Sequence, residues 1–141
     1  MFAHELTVRT ADLTEEHAFW NGVCLFLWPV GEREASATID LILPDDWQVF
    51  TWLPTRRQGS RVQLSALGID QLADSPVLAC AQARVVEFEA MGRPHRFVFD
   101  GLGSIEPPAD LVPHTRAVIE QAARVFGLES LPYPRYDFLT L

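Results

Sequence analysis

Basic side chains are scarce in this sequence. Its 141 residues include 11 Lys and Arg against 19 Asp and Glu, which gives a formal net charge of −8. Nucleic-acid binding requires cationic side chains clustered on one surface to neutralise phosphates, and the few present here are spread along the chain. We therefore expect no nucleic-acid partner and no attraction to an anionic membrane surface.

Long apolar runs and targeting signals are also missing. No apolar run approaches the ~20 residues of a membrane-spanning helix, and Met1-Phe2-Ala3-His4-Glu5 lacks the basic and apolar regions of a signal peptide. The two cysteines, Cys24 and Cys80, stand in apolar or strand-like surroundings, which favours buried, reduced thiols over a disulfide. These observations predict a cytoplasmic protein with no membrane association.

Large apolar side chains, in contrast, are plentiful. The chain is 48% hydrophobic and contains nine Phe, four Trp and two Tyr. At this length such a composition can bury a substantial core without a metal ion or a disulfide as a staple. We expect one domain, with room for a small appendage.

Apolar residues recur with period two in the first hundred residues, separated by Pro, Gly and Asp, and predict antiparallel strands. The predicted strands lie near residues 5–8, 37–43, 47–53 and 62–66. Residues 23–28 are apolar on both faces, which predicts a central strand ended by Pro29. Residues 54–60 have no periodicity and are interpreted as an exposed loop, whereas Asp70 to Leu72 is predicted to form one helical turn.

A hairpin is predicted over residues 82–100, closed at residues 91–94 with Gly92 at positive φ. Pairing Phe88 with Phe97, and Val86 with Phe99, would place aromatic rings together on one face. Glu89 would then lie opposite Arg96 on the other face. This register is an expectation of the cross-strand pattern alone.

The periodicity becomes helical after the segment 101–103. Leu111, Thr115, Val118, Ala122 and Val125 predict a helix over residues 111–126, with Asp110 as its cap and Gly127 just past its end. Residues 135–141 then alternate as a final strand. The fold class is mainly β (α+β), an antiparallel β-sandwich-like domain with one C-terminal helix and a final strand. Residues 1–103 form the sandwich-like portion and residues 104–141 the linker, helix and strand.

No residue set in the sequence matches a catalytic, cofactor-binding or metal-binding pattern. His4-Glu5 lacks a second histidine at helical spacing, and three further histidines have no ligand-spaced neighbours: His17, His95 and His114. Glu87 and Glu89 share a strand face opposite Arg96, which favours a cross-strand ion pair over an acid/base dyad. Three other candidates also lack catalytic context: the carboxylate pairs Glu15-Glu16 and Asp45-Asp46, the serines Ser75 and Ser104, and the two cysteines. We therefore predict no catalytic residues, no metal ligands and no cofactor in this chain.

Several phrases in fixed order nevertheless resemble a known family. They are Leu6-Thr7-Val8-Arg9-Thr10, His17-Ala18-Phe19-Trp20-Asn21-Gly22, residues 67–77 ending Asp74-Ser75-Pro76-Val77, Val86-Glu87-Phe88-Glu89-Ala90, Gly92-Arg93-Pro94-His95, Arg124-Val125-Phe126-Gly127 and Tyr136-Asp137-Phe138-Leu139-Thr140. Together they resemble the glycyl-aminopeptidase-like zinc metallopeptidases that carry a PDZ domain, in the region just upstream of the zinc site.

The resemblance implies a partial chain. In that family the final phrase leads into a glycine-rich strand ending in Glu-His and then the HExxH helix, and neither is present in these residues. The family's zinc ligands, general base and PDZ domain therefore map onto no residue here. The resemblance implies that zinc and a peptide substrate belong to the full-length parent, whose missing catalytic domain is the partner of this chain.

Two functions follow as hypotheses. The first is a non-catalytic scaffold portion of a zinc-dependent metalloaminopeptidase that walls the substrate cleft. The alternative is a stand-alone β-sandwich binding or interaction module, suggested by the predicted exposed loop and by the lack of a catalytic set. Truncated sheets would also leave strand edges open, so a homo-oligomer assembled through those edges is expected.

Overall fold

A computed structural model of the protein describes residues 11–141. Ten strands and three helices make up the described chain. The strands are β1 (Ala11–Leu13), β2 (His17–Trp20), β3 (Ala37–Ile42), β4 (Gln48–Thr51), β5 (Thr55–Gln58), β6 (Arg61–Ala66), β7 (Val77–Cys80), β8 (Ala83–Ala90), β9 (Arg93–Asp100) and β10 (Tyr136–Thr140). The helices are α1 (Gly22–Leu25), α2 (Ile69–Ala73) and α3 (Leu111–Val125). The predicted strand near residues 5–8 lies outside the described residues.

The chain divides into two compact units, Met1–Gln82 and Ala83–Leu141, named here the N-terminal and C-terminal units. The boundary predicted after Gly103 falls inside the C-terminal unit. The hairpin β8–β9 therefore groups with α3 and β10, and the linker of residues 104–110 connects elements of the same unit. Strands dominate both units, in agreement with the predicted mainly-β class.

Two sheets form the described part of the N-terminal unit. One has the strand order β1-β2-β7-β4 and the other β3-β6-β5, with all neighbours antiparallel. A single buried cluster draws side chains from both sheets, including Trp20 and Val77 from the first and Val62 and Leu64 from the second. Because each sheet buries alternate residues of its strands in this shared core, the arrangement is sandwich-like, as predicted.

The alternating pattern of β3 and β6 is confirmed in detail. Ile39 and Leu41 pack against the core, while the alternate residues Thr38, Asp40 and Ile42 are exposed. A turn follows β3, since the amide of Trp47 donates to the carbonyl of Pro44 at 3.1 Å. The helical turn predicted at Asp70 is part of α2.

The central strand predicted at residues 23–28 is wrong. This segment begins with α1, whose start is capped by the Asn21 side chain accepting from the Val23 amide. Gly22 permits the close approach of α1 to α2, because a Cβ there would collide with the Leu72 carbonyl oxygen. The apolar side chains of this segment are not buried on both faces: Val23 is 63% and Leu27 99% exposed, whereas Phe26 and Trp28 are partly buried against the core.

The loop predicted at residues 54–60 is also wrong, because Thr55–Gln58 forms β5 and pairs with β6. Gly59 makes the tight connection with φ of +61°. All four residues of β5 are exposed, as the prediction had it for this segment. An edge strand with no buried face carries no period-two signal, so the sequence pattern could not reveal it.

The C-terminal unit contains one three-stranded sheet in the order β10-β9-β8. The strands β8 and β9 are antiparallel, whereas β10 returns through α3 and runs parallel to β9. The predicted hairpin register is wrong by two residues: Phe88 pairs with His95, and Val86 with Phe97. A two-residue turn with positive φ at both Met91 and Gly92 replaces the predicted four-residue connection, and the two-residue shift leaves every side chain on its predicted face.

Helix α3 ends as predicted. The amide of Gly127, at φ of +64°, donates to Arg124 and that of Leu128 to Ala123, which is a Schellman cap. At the start, Asp110 occupies the cap position without a side-chain cap hydrogen bond. The buried side of the helix includes Ala123, whereas part of its predicted apolar stripe is exposed.

The shared core of the N-terminal unit predicts a strong contrast within one sheet. Leu64→Ala removes a side chain with 0% exposure, so we expect a loss of about 2–5 kcal/mol in the free energy of unfolding. Ile42→Ala, on the paired strand but 78% exposed, is expected to change it by about 0.5 kcal/mol or less. Urea unfolding of both variants measures the difference; similar effects would contradict the assignment of the core face.

Candidate functional site

A row of charged side chains crosses the sheet of the C-terminal unit. In the strand register, Arg96 on β9 lies between Glu87 on β8 and Asp137 on β10. Residues that are aligned across neighbouring strands project from the same face. The sheet therefore places one cation between two carboxylates.

Arg96 and Asp137 form a bidentate salt bridge. Nε of Arg96 donates to Oδ1 of Asp137, and Nη2 to Oδ2, each at 2.8 Å. The Asp137 side chain is 4% exposed and that of Arg96 23% exposed, so water screens the pair weakly. The hydrogen bonds that Arg96 donates to Asp137, together with the negative charges of Asp137 and Glu87, raise the pKa of Arg96 against the opposing effect of burial.

A second guanidinium shares the same carboxylate. Nε of Arg135 lies 3.4 Å from Oδ1 of Asp137. Arg96, Arg135 and Asp137 thus form a compact triad at the side of the sheet where β10 begins. Asp137 binds both guanidinium groups, and it holds the start of β10 against β9.

The triad borders a cleft of about 410 Å³. Its lining consists of Glu87, Phe88, Glu89, Pro94, His95, Arg96 and Arg135. Charged groups of both signs face this cleft, whereas its lining contains no serine, threonine, cysteine or lysine that could act as a nucleophile. The chemistry available there is binding through ion pairs and hydrogen bonds.

His95, for which the sequence predicted no role as a metal ligand, is buried, with 2% of its surface exposed. Its Nδ1 lies 2.9 Å from the Arg93 carbonyl oxygen, which can only accept, so Nδ1 carries the proton. Nε2 then accepts from the Tyr133 hydroxyl at 3.2 Å. Burial, with a smaller contribution from Tyr136, raises the pKa of Tyr133 and keeps that hydroxyl protonated as a donor.

Aromatic rings share the His95 face of the sheet, as the sequence predicted. Phe88 stacks on His95 with ring centroids 5.2 Å apart, and Phe97 lies 4.8 Å from Phe138 on β10. Phe88 and Phe97 are themselves 5.5 Å apart. The rings link all three strands across this face.

The other histidines considered in the sequence analysis do not line this cleft. His17 of the N-terminal unit lies 3.0 Å from Asp12, and His114 is exposed with Nδ1 3.5 Å from Asp110. His4 lies outside the described residues. Among residues 11–141, no group of three or more His, Cys, Asp or Glu side chains is arranged to hold a metal ion.

The remaining candidates have structural or solvent surroundings. Cys80 is buried and Cys24 half-buried, both as thiols. Ser75 is buried and its hydroxyl donates to the Gln71 carbonyl at 2.6 Å. The carboxylate pairs Glu15-Glu16 and Asp45-Asp46 are exposed, as is Ser104.

Sequence reasoning missed the role of Asp137 and Tyr133. It assigned Arg96 a partner on β8 alone, because the hairpin could be recognised locally and the parallel return of β10 could not. The alternation of residues 135–141 identified a strand but carried no information on which strand it joins or in what register. Tyr133 stands outside any periodic segment and gave no signal.

The N-terminal part of the chain matches a known protein family. A family model described as the peptidase M61 N-terminal domain matches residues 1–81. The chain belongs to this family. The match ends one residue before the end of the N-terminal unit at Gln82, so the described sandwich lies within the M61 N-terminal domain.

The charged row and the cleft lie beyond the matched residues. A search of curated proteins finds no match. A solved structure of an aminopeptidase N family protein from Idiomarina loihiensis is similar to the whole chain, with a TM-score of 0.78 and 27% sequence identity. The similarity covers 99% of this chain and 24% of that protein. The M61 chain described here thus spans about a quarter of the length of this relative.

The ion pair between Arg96 and Asp137 predicts that replacing one charged group has a large effect on stability. Asp137→Asn preserves shape but removes the acceptor charge from two guanidiniums, so we expect the free energy of unfolding to fall by about 1.5–3 kcal/mol. Glu87→Gln, which removes an exposed carboxylate from the same row, should cost about 0.5 kcal/mol or less. Urea unfolding compares them. An equal loss of unfolding free energy for Glu87→Gln and Asp137→Asn would contradict this prediction, because it would show that the Arg96–Asp137 ion pair stabilises the protein no more than an exposed charge does.

Proposed function

We propose that this chain is a non-catalytic supporting portion of a zinc-dependent aminopeptidase. The sandwich of the N-terminal unit would wall one side of the substrate cleft, and the C-terminal unit would begin the catalytic domain. The observation that carries the proposal is the similarity of 99% of this chain to 24% of an aminopeptidase N family protein. Membership of the peptidase M61 N-terminal domain family supports it.

Exposed apolar surface on α3 supports a larger protein. Val118, Val125 and Phe126 are 66%, 81% and 77% exposed, and the first two follow each other at helical spacing. A helix face of this kind is ordinarily covered by neighbouring structure. Under the proposal, residues of the catalytic domain would cover it.

The C-terminal sheet also has an open end. Among the described residues, β10 pairs with β9 alone and stands last in the strand order. Its outer edge offers backbone N–H and C=O groups to a further strand. The catalytic domain of the parent is the proposed partner for that edge.

Zinc would belong to the parent protein. The described residues do not fit a zinc site, because none of their His, Cys, Asp and Glu side chains form a group that could hold the ion. A peptide substrate would likewise engage the full-length protein. Within residues 11–141 no helix has the length and apolarity to cross a membrane, and a cytoplasmic location is part of the proposal.

The alternative is a stand-alone binding module that assembles through its strand edges. The open edges of β5 and β10 favour it, since two copies could each extend the other's sheet. The alternative predicts a reading frame that ends at Leu141. It also predicts a homo-oligomer whose mass falls on dilution.

The proposal predicts where hydrolytic activity resides. The 141-residue chain alone should neither bind zinc at submicromolar affinity nor release amino acids from peptide substrates. The complete reading frame should continue into an HExxH segment, and the full-length protein should both bind zinc and release amino acids from peptides. Calorimetry with zinc and a peptide-hydrolysis assay, with and without chelator, test each form. Chelator-sensitive hydrolysis by the 141-residue chain, or a stop codon after Leu141, would refute the scaffold function.

A further inference from the structure

A polar groove lies on the outward face of the hairpin β5–β6. It has a volume of about 140 Å³ and is lined by Arg56, Gln58, Arg61 and Gln63. In the register, Arg56 pairs with Gln63 and Gln58 with Arg61, so the four side chains form two adjacent cross-strand pairs on one face. The groove is thus built from two guanidiniums and two amides on regular strands.

The two arginines of the groove are not engaged by carboxylates among the described residues, whereas other arginines are. Arg33 pairs with Asp70 at 2.6 Å and Arg84 with Glu106 at 2.6 Å. Gln63 of the groove donates from Nε2 to Oδ1 of Asp40 on β3 at 3.2 Å. In a chain of net charge −8, two such guanidiniums side by side form a local cationic site.

The hairpin that carries the groove is held rigidly. Arg57, on the opposite face of β5, donates to the carbonyl oxygens of Gly59 and Trp47. The hydroxyl of Thr55 donates to the Leu53 carbonyl at 2.9 Å. These bonds fix both ends of β5, so the groove is formed before any ligand arrives.

The edge of β5 beside the groove is open. In the described chain β6 is the strand that pairs with β5, which stands last in the order β3-β6-β5. All four residues of β5 are exposed. Its outer backbone groups can therefore pair with an added extended segment.

We propose that the β5 edge and this groove bind an extended acidic peptide segment. The segment would add to β5 as a further strand, and a carboxylate on its outward face would lie between Arg56 and Arg61. Guanidiniums bind carboxylates through paired, charge-assisted hydrogen bonds, and the two amides can donate to the remaining oxygen lone pairs. The volume equals that of about five water molecules at ~30 Å³ each, which suits one carboxylate and its methylenes.

The inference does not depend on the proposed peptidase function, because it involves neither zinc nor hydrolysis. Side chains of an added strand alternate between faces. The preferred ligand therefore carries acidic residues at alternate positions. The attraction between the two guanidiniums and the ligand carboxylates is screened by salt, so the affinity is expected to fall as the salt concentration rises.

The test uses the 141-residue chain and a fluorescein-labelled eight-residue peptide of alternating glutamate and threonine. Fluorescence anisotropy should show saturable binding in low salt, weakened at least about tenfold by Arg56→Ala or Arg61→Ala, since each removes charge-assisted hydrogen bonds. Arg124→Ala, which removes an exposed cation from α3, is the matched control and should leave affinity unchanged. The outer amides of β5 should become protected from hydrogen exchange when the peptide is bound.

Four outcomes overturn the proposal. They are no saturable binding, equal weakening by Arg124→Ala, equal affinity for a peptide with glutamine in place of glutamate, and displacement of the peptide by inorganic phosphate with no protection of β5 amides. The last would identify a small-anion site without strand addition. Both groove arginines are exposed, so matching urea midpoints of all variants are expected and confirm that binding differences do not arise from unfolding.

Discussion

The ion pair between Arg96 and Asp137 fixes the architecture of the C-terminal unit. A parallel strand cannot be joined to its neighbour by a tight turn, so β10 returns only after the linker and α3, and its register is not set by a connection. The two 2.8 Å hydrogen bonds select one alignment of β10 on β9, because a shift by one residue would move Asp137 to the opposite face. The buried carboxylate would then face the aromatic rings without a partner, which is costly.

The aromatic face reinforces the same register from the other side of the sheet. Phe138 lies 4.8 Å from Phe97 in the aligned position, and Phe88 continues the stack on β8. The hydrogen bond of His95 to Tyr133 ties the segment before β10 to β9. Ion pairs on one face and rings on the other therefore agree on a single alignment. Such agreement between independent interactions is what gives a sheet one structure rather than several.

Sequence reasoning was effective wherever a pattern had a single local cause. The period-two segments of β3 and β6, the hairpin faces and the Gly127 cap of α3 were all predictable, because burial or positive φ dictates each. It failed at residues 23–28, where a capping asparagine and a glycine required by close packing override an apolar run. It failed again at β5, which has no buried face. Nothing local could indicate the partnership of Asp137 with Arg96, which joins strands 41 positions apart in the sequence.

At the candidate site, too, the sequence predicted local features but not those that depend on strand pairing. The sequence indicated that Arg96 faces carboxylates, and it correctly grouped the aromatic residues. The lining of the cleft includes Arg135, which directly precedes the parallel strand β10, and the groove at Arg56 and Arg61 depends on a strand that was interpreted as a loop. Both features arise from strand pairing, which sequence periodicity does not report.

The chain belongs to the peptidase M61 N-terminal domain family and is similar to a quarter of an aminopeptidase N family protein. On that basis we propose that it supports chemistry performed elsewhere. Two surfaces of the C-terminal unit support this proposal: the exposed apolar residues Val118, Val125 and Phe126, and the outer edge of β10, which is last in its sheet among the described residues. The rest of the parent protein would cover both. Under this proposal the sheet of the C-terminal unit is the beginning of a larger sheet.

Complementation tests this claim most directly. The 141-residue chain is mixed with the separately produced remainder of its reading frame, and peptide hydrolysis is measured against the concentration of the chain. The account predicts saturable activity that appears only on mixing, and that is weakened by replacing Val125 and Phe126 with aspartate. Full activity of the remainder alone, or no activity at any concentration of added chain, would contradict it.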